Sequence, residues 1–205
     1  QTKFWGEEQI LHASNAQSGD FFGWSAAVSG STILIGAWAE NGGEGDPLYS
    51  AGAAYIFQPN PDSEEWREVQ ILRASDAQER DQFGYWVALD GDTLLIDAYP
   101  EDGGQGDPIL NAGAAYIFQP DESGAAWVES QILRASDPQP WDEFAFSVAI
   151  QGDVVACAAF QEDGGPGDPL PDSGAVYIYQ APPAISSDFT FIPIMTKSQD
   201  FLVPR

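Results

Sequence analysis

One pattern recurs three times at a fixed spacing of 61 residues, and that recurrence limits the fold more than any other property of the chain. Trp5, Trp66 and Trp127 are in step. So are Gln9, Gln70 and Gln131; Asp20, Asp81 and Asp142; Asp46, Asp107 and Asp168; and Tyr55, Tyr116 and Tyr177. Repetition at such a period means that one supersecondary unit stacks on its neighbours, because alone it cannot bury its apolar face. The copies run without insertion from residue 3 to about 180, and residues 181–205 leave the pattern.

Each copy reads as short strands. The first is Glu8–Ser14, repeated at 69–75 and 130–136 with the shared core Gln-Ile-Leu. A polar loop then ends in an acid before an aromatic residue, at Asp20, Asp81 and Asp142. A hairpin follows across the two-residue turns Gly30-Ser31, Gly91-Asp92 and Gly152-Asp153, a spacing that sets up tight antiparallel pairing. An acidic glycine-rich loop and a last strand at 52–57, 113–118 and 174–179 complete the unit. No helical period is present, and 21 Gly with 15 Pro suit many short strands and turns. Four-stranded units repeated radially are propeller blades. The expected fold class is therefore all-β: three tandem four-stranded blades at about 1–63, 64–124 and 125–180. A Pro-rich linker and an extended tail strand follow within 181–205.

The pairs Phe22-Gly23 and Phe83-Gly84, each followed by Gly36-Ala37 or Asp97-Ala98, an acidic loop and a Gly-Ala-Ala-Tyr-Ile-Phe strand, resemble FG-GAP repeats. These are the blades of the integrin alpha-chain head and of many bacterial surface proteins. Phe144-Ala145 departs from the pattern by losing its glycine. The resemblance implies a β-propeller, an extracellular setting and calcium held in a loop between two strands; it rarely implies catalysis.

Closed propellers have about four to eight blades, so three leave sheet edges to be covered. In a blade of this type the Gln-Ile-Leu strand lies outermost and belongs to the preceding blade. The first such segment, 5–11, then has no blade of its own, and the third blade lacks an outer strand after Tyr179. Two segments can fill that place: residues 5–11 of a neighbouring copy, or the chain's own apolar, Pro-interrupted stretch 188–195. The first option predicts a non-enzymatic extracellular structural protein that self-assembles by strand exchange into a filament, a sheath or a closed ring. The alternative is an adhesion or ligand-binding fragment of a longer propeller, with a glycan or cell-surface protein as partner.

The acidic loops are the candidate metal sites. Their acids are Glu40, Asn41 and Asp46 in the first copy, Glu101, Asp102 and Asp107 in the second, and Glu162, Asp163 and Asp168 in the third. Calcium takes six to eight oxygens from carboxylates and backbone carbonyls, and glycines let carbonyls converge. The competing reading is a turn whose acids are solvated. Asp20, Asp81 and Asp142, preceded by Asn15, Asp76 and Asp137, cap a tight turn or share a cation between blades.

Charge narrows the partners. With 7 Lys+Arg against 32 Asp+Glu, the net charge of −25 opposes any phosphate backbone, so nucleic acid is excluded as a partner. No run reaches the ~18 apolar residues of a membrane span. Catalytic sets are thin: the single histidine, His12, is replaced by Arg73 and Arg134 in the other copies, which argues against a Ser-His-Asp triad. Acids repeated threefold in glycine loops suit poorly the individual pKa tuning that a glycosidase pair needs. The lone Cys157, in an apolar run, reads as a buried small hydrophobe. Trp24, Trp38, Trp86 and Trp141 fall near strand ends, as core between blades or as platforms for sugars.

Overall fold

The computed structural model describes residues 4–63, 65–104, 106, 108–164 and 170–182. Eleven strands and no helix form over these residues, in three antiparallel sheets. The first sheet contains β1 (Ser25–Ser29), β2 (Thr32–Ala37), β3 (Ala53–Pro59) and β4 (Trp66–Leu72). The second contains β5 (Val87–Asp90), β6 (Thr93–Ala98), β7 (Ala114–Pro120) and β8 (Trp127–Leu133), and the third β9 (Ser147–Gln151), β10 (Val154–Ala159) and β11 (Ala175–Gln180). Strand order within each sheet follows chain order, the meander of a propeller blade.

Local sequence explains the pairing. Ser29 faces Thr32 and Asp90 faces Thr93, leaving two-residue turns whose first residue is left-handed: φ is 55° at Gly30 and 56° at Gly91. Glycine meets that demand without the steric cost a side chain would carry. A bulge at Ile56/Phe57 recurs at Ile117/Phe118 and shifts the register of the outer strand in both complete sheets.

The apolar runs of β2 and β6 are continuous because the sheets stack face to face, so both faces are covered. Leu34 and Ile56 of the first sheet meet Leu94, Ile96 and Tyr116 of the second. The opposite face of the second sheet, with Leu95 and Ala115, meets Phe144, Val155 and Cys157 of the third. Successive residues thus point into different cores, as the period of two in a strand requires. Cys157 is fully buried, and burial first, then the nearby Asp97, pushes its thiol up to about 12. It is a core residue, as the sequence suggests.

One expectation changes. Glu8–Ser14 is not a strand: residues 4–13 are irregular, whereas their counterparts form β4 and β8. The difference is one of partners, since β4 and β8 pair with β3 and β7, and no sheet precedes the first copy among the described residues. The third sheet has three strands among the described residues, without an outer strand after Tyr179, as the spacing of the repeat leads one to expect. The expected tail strand 188–195 lies outside the described residues, as do Asp107 and Asp168. No helix among the described residues is long and apolar enough to cross a membrane.

Candidate functional site

The acidic loops connect β2 to β3, β6 to β7 and β10 to β11, and each is organised around its leading glutamate. Glu40, Glu101 and Glu162 are buried, 3–4% exposed. Each accepts the amide two residues ahead, from Gly42, Gly103 and Gly164, at 2.9 Å. The next residue closes the loop: Asn41 accepts the Ser50 amide (2.9 Å), Asp102 that of Asn111 (2.6 Å) and Asp163 that of Asp172 (2.7 Å). Asp46 accepts from the Gln17 side-chain amide at 2.9 Å.

The positive charge of the first two loops comes from the protein itself. Arg73 reaches Glu40 at 2.6 Å, and Arg134 reaches both Glu101 and Asp76 at 2.9 Å. These arginines lie in the segment that follows each outer strand, 33 residues after the glutamate. A guanidinium suits a carboxylate's geometry. The donors of these two loops therefore fit arginine and backbone amides better than an oxygen cage for calcium. Among the described residues no three His, Cys, Asp or Glu side chains converge as a metal-holding group.

Asp20, Asp81 and Asp142 are turn closers. Each is 3–5% exposed and accepts the amide three residues earlier, from Gln17, Gln78 and Gln139, at 2.6–2.7 Å. Burial raises Asp81 from 3.8 to about 7; the Gln78 amide opposes the rise, while Glu101, Asp76 and Asp102 add to it by repulsion. Burial also raises Asp142. Asn15, Asp76 and Asp137 accept the hydroxyls of Tyr55, Tyr116 and Tyr177 at 2.8–2.9 Å. Each tyrosine stands on the third strand of its own sheet, β3, β7 or β11, and anchors the polar loop over it.

The aromatic residues divide between core and surface. Phe83 and Phe144, at the Phe-Gly position, are fully buried and pack edge-on to Tyr116 and Tyr177. A second set forms a lane across all three units. Trp38 meets Trp24, Trp24 meets Tyr85, Tyr85 meets Tyr99, Tyr99 meets Phe146 and Phe146 meets Phe160, with ring centroids 4.5–5.9 Å apart. Phe21 stacks on Trp38 with the rings 4° from parallel. Trp24, Phe21 and Phe160 remain about half exposed, and so do Trp86 and Trp141. Core packing and an exposed platform thus coexist in one set of residues.

Sequence reasoning missed the arginines of the acidic loops and the contacts that join one unit to the next. Gln9 grips the backbone of Trp66: its side chain donates to the Trp66 carbonyl (2.9 Å) and accepts the Trp66 amide (2.7 Å). Gln70 grips Trp127 identically, at 2.7 and 2.8 Å. The signal was the strict spacing of Gln9, Gln70 and Gln131, which marks a tertiary role without naming the partner. Asp97 was also missed. It is fully buried in β6, accepts the Trp86 amide at 2.6 Å, and burial holds its carboxyl well above the usual range.

A model of the FG-GAP repeat matches residues 5–57, 66–118 and 127–179. No curated protein matches the chain at a significant level. The matches begin at the three equivalent tryptophans, end in the three equivalent strands and cover more than half the chain. The FG-GAP repeat indicates a β-propeller-like domain of extracellular or adhesion type, generally without enzymatic activity. Three stacked antiparallel sheets and three in-register matches place this chain in the FG-GAP repeat family.

Proposed function

We propose that this is a non-enzymatic extracellular structural protein that assembles with copies of itself by completing sheets across subunits, as a filament, a sheath or a closed ring. One observation carries the reading: β11 ends the third sheet with an open hydrogen-bonding edge among the described residues, and Val176 and Ile178 on it are 62% and 64% exposed. Such an edge is a template for another strand. Sedimentation at micromolar concentration tests the proposal. Species of at least twice the 22.1 kDa chain mass are expected, and a lone monomer would refute it. Calcium belongs to the proposal for the third loop, at Glu162, Asp163 and Asp168. Support comes from the density of acids there. Calcium should raise Tm and chelator lower it; an unchanged Tm removes calcium from the account.

The aromatic lane favours a second reading, an adhesion module for a glycan or a cell-surface protein, since aromatic faces give large contact areas at low entropic cost. Saturable quenching of tryptophan fluorescence by a glycan, lost in Trp24→Ala, would support it; no response across a glycan panel would remove the glycan form of it.

A further inference from the structure

The junction between units is built from the same parts each time, and one junction shows what the third sheet is shaped to accept. Trp127 opens β8 and is 8% exposed, packed in one core cluster with Leu94 and Phe118. Its indole Nε1 donates to the Asp92 carbonyl at 3.3 Å, and Gln70 grips its backbone. Two residues on, Glu129 accepts the Ser75 amide and hydroxyl at 2.9 and 2.7 Å. The junction before it has the same links, Gln9 to Trp66 and Ser14 to Glu68.

These parts recur 61 residues on. A cavity of about 420 Å³ lies beside the outer end of β11, lined by Gln131, Ile150, Asp153, Val155 and Tyr179. These are the counterparts of Gln70, Leu89, Asp92, Leu94 and Phe118, which surround Trp127. Ser136 stands where Ser75 does. The Asp153 carbonyl accepts the Ala181 amide at 2.9 Å and keeps a second lone pair.

We propose that this socket and edge receive residues 5–11 of a second copy of the chain, with the Trp5 indole in the cavity. The proposal rests on the self-assembly reading and names the segment that performs it. Residues 5–11, β4 and β8 share the pattern Trp-x-Glu-x-Gln-Ile-Leu. Copying the register of β3 with β4 pairs Val176 with Leu11, Tyr177 with Ile10 and Ile178 with Gln9, bulges at Glu8, and sets Trp5 opposite Ala181. Gln131 then grips Trp5 and Ser136 meets Glu7. The incoming segment is prepared for this role: Trp5 is 92% and Ile10 66% exposed, and Gln9 is already anchored to Trp66 of its own chain. The third sheet of one copy thus meets the first sheet of the next as the first meets the second. The chain's own residues 188–194 keep the spacing but place Asp188, Thr190 and Ile192 where the tryptophan, glutamate and glutamine belong.

The test uses the full chain, its Trp5→Ala variant and a peptide of residues 4–14. Because Trp5 is exposed in the isolated chain, the variant should fold, with the parent's far-UV circular dichroism spectrum. It should sediment as a monomer while the parent sediments at twice the mass or more. The peptide should bind the Trp5→Ala chain saturably, at least tenfold more weakly when its own tryptophan is alanine or when the chain carries Gln131→Ala. If Trp5→Ala assembles as well as the parent, and removing residues 188–205 abolishes assembly, the proposed segment is wrong while self-assembly stands. A monomeric parent whose Trp5→Ala variant binds the peptide with that tryptophan dependence upholds the socket and overturns the assembly reading. A peptide that fails to bind the variant, or binds it equally without its tryptophan, overturns the socket.

Discussion

Asp81 offers a direct test of how the polar loops are anchored. Its carboxyl is 4% exposed, and burial raises it from 3.8 to about 7 in the folded chain. Below about pH 4 the folded and unfolded chains both hold this proton. Between 4 and 7 only the folded chain holds it, so stability falls as pH rises through that window and then levels off. The rise is equivalent to about 4 kcal/mol at most, and solvent screening at a loop reduces it to about 2 kcal/mol. Asp81→Asn removes the charge and keeps a carbonyl oxygen for the Gln78 amide, the 2.6 Å bond that closes the turn. Urea unfolding of both proteins at pH 4 and pH 8 reads the effect. The variant should match the parent at pH 4 and exceed it by about 2 kcal/mol at pH 8. A difference independent of pH, or a variant less stable at pH 8, would show that the carboxylate contributes to the turn in its charged form and sink the argument.

Three further substitutions probe the stack. Trp127→Ala should cost about 3–5 kcal/mol, the range for deleting a buried aromatic, read as a fall in the denaturant midpoint; a loss below about 1 kcal/mol would mean the socket does not hold the outer strand. Arg134→Ala strands Glu101, 3% exposed, and should cost about 3 kcal/mol, with Glu101→Gln recovering part of it in the double variant; strict additivity in that cycle would deny the pairing. Ala145 sits at φ 70°, where its counterparts are Gly23 at 87° and Gly84 at 86°. Ala145→Gly should therefore stabilise the fold by about 0.5–1 kcal/mol after the entropy that glycine loses on folding, and a lower Tm would refute the strain.

The repeat made the strands and their order legible, because a 61-residue period with two-residue glycine turns admits few arrangements. The outer strands expected at 69–75 and 130–136 form three residues earlier, at Trp66–Leu72 and Trp127–Leu133, and of the two readings of Asp20, Asp81 and Asp142 the turn is the one seen. Residues 5–11 carry the same pattern as β4 and β8 yet form no strand, because a strand is a property of a pair and local sequence describes one member. The acidic loops show a similar limit. Spacing revealed the carboxylates of Glu40 and Glu101 but not that Arg73 and Arg134, 33 residues away, turn toward them. Which cation an acid faces is settled by tertiary packing. The aromatic lane was equally hidden, since its members come from two loop positions that meet only when units stack.

Two contacts between neighbouring units recur at fixed offsets, 57 residues from glutamine to tryptophan and 54 from serine to glutamate. Cutting out or duplicating a whole 61-residue length returns each of these side chains to a partner of the same kind. Gene-level gain or loss of a unit therefore requires no new surface to be invented, and the number of blades is free to drift while the chemistry of every junction stays the same.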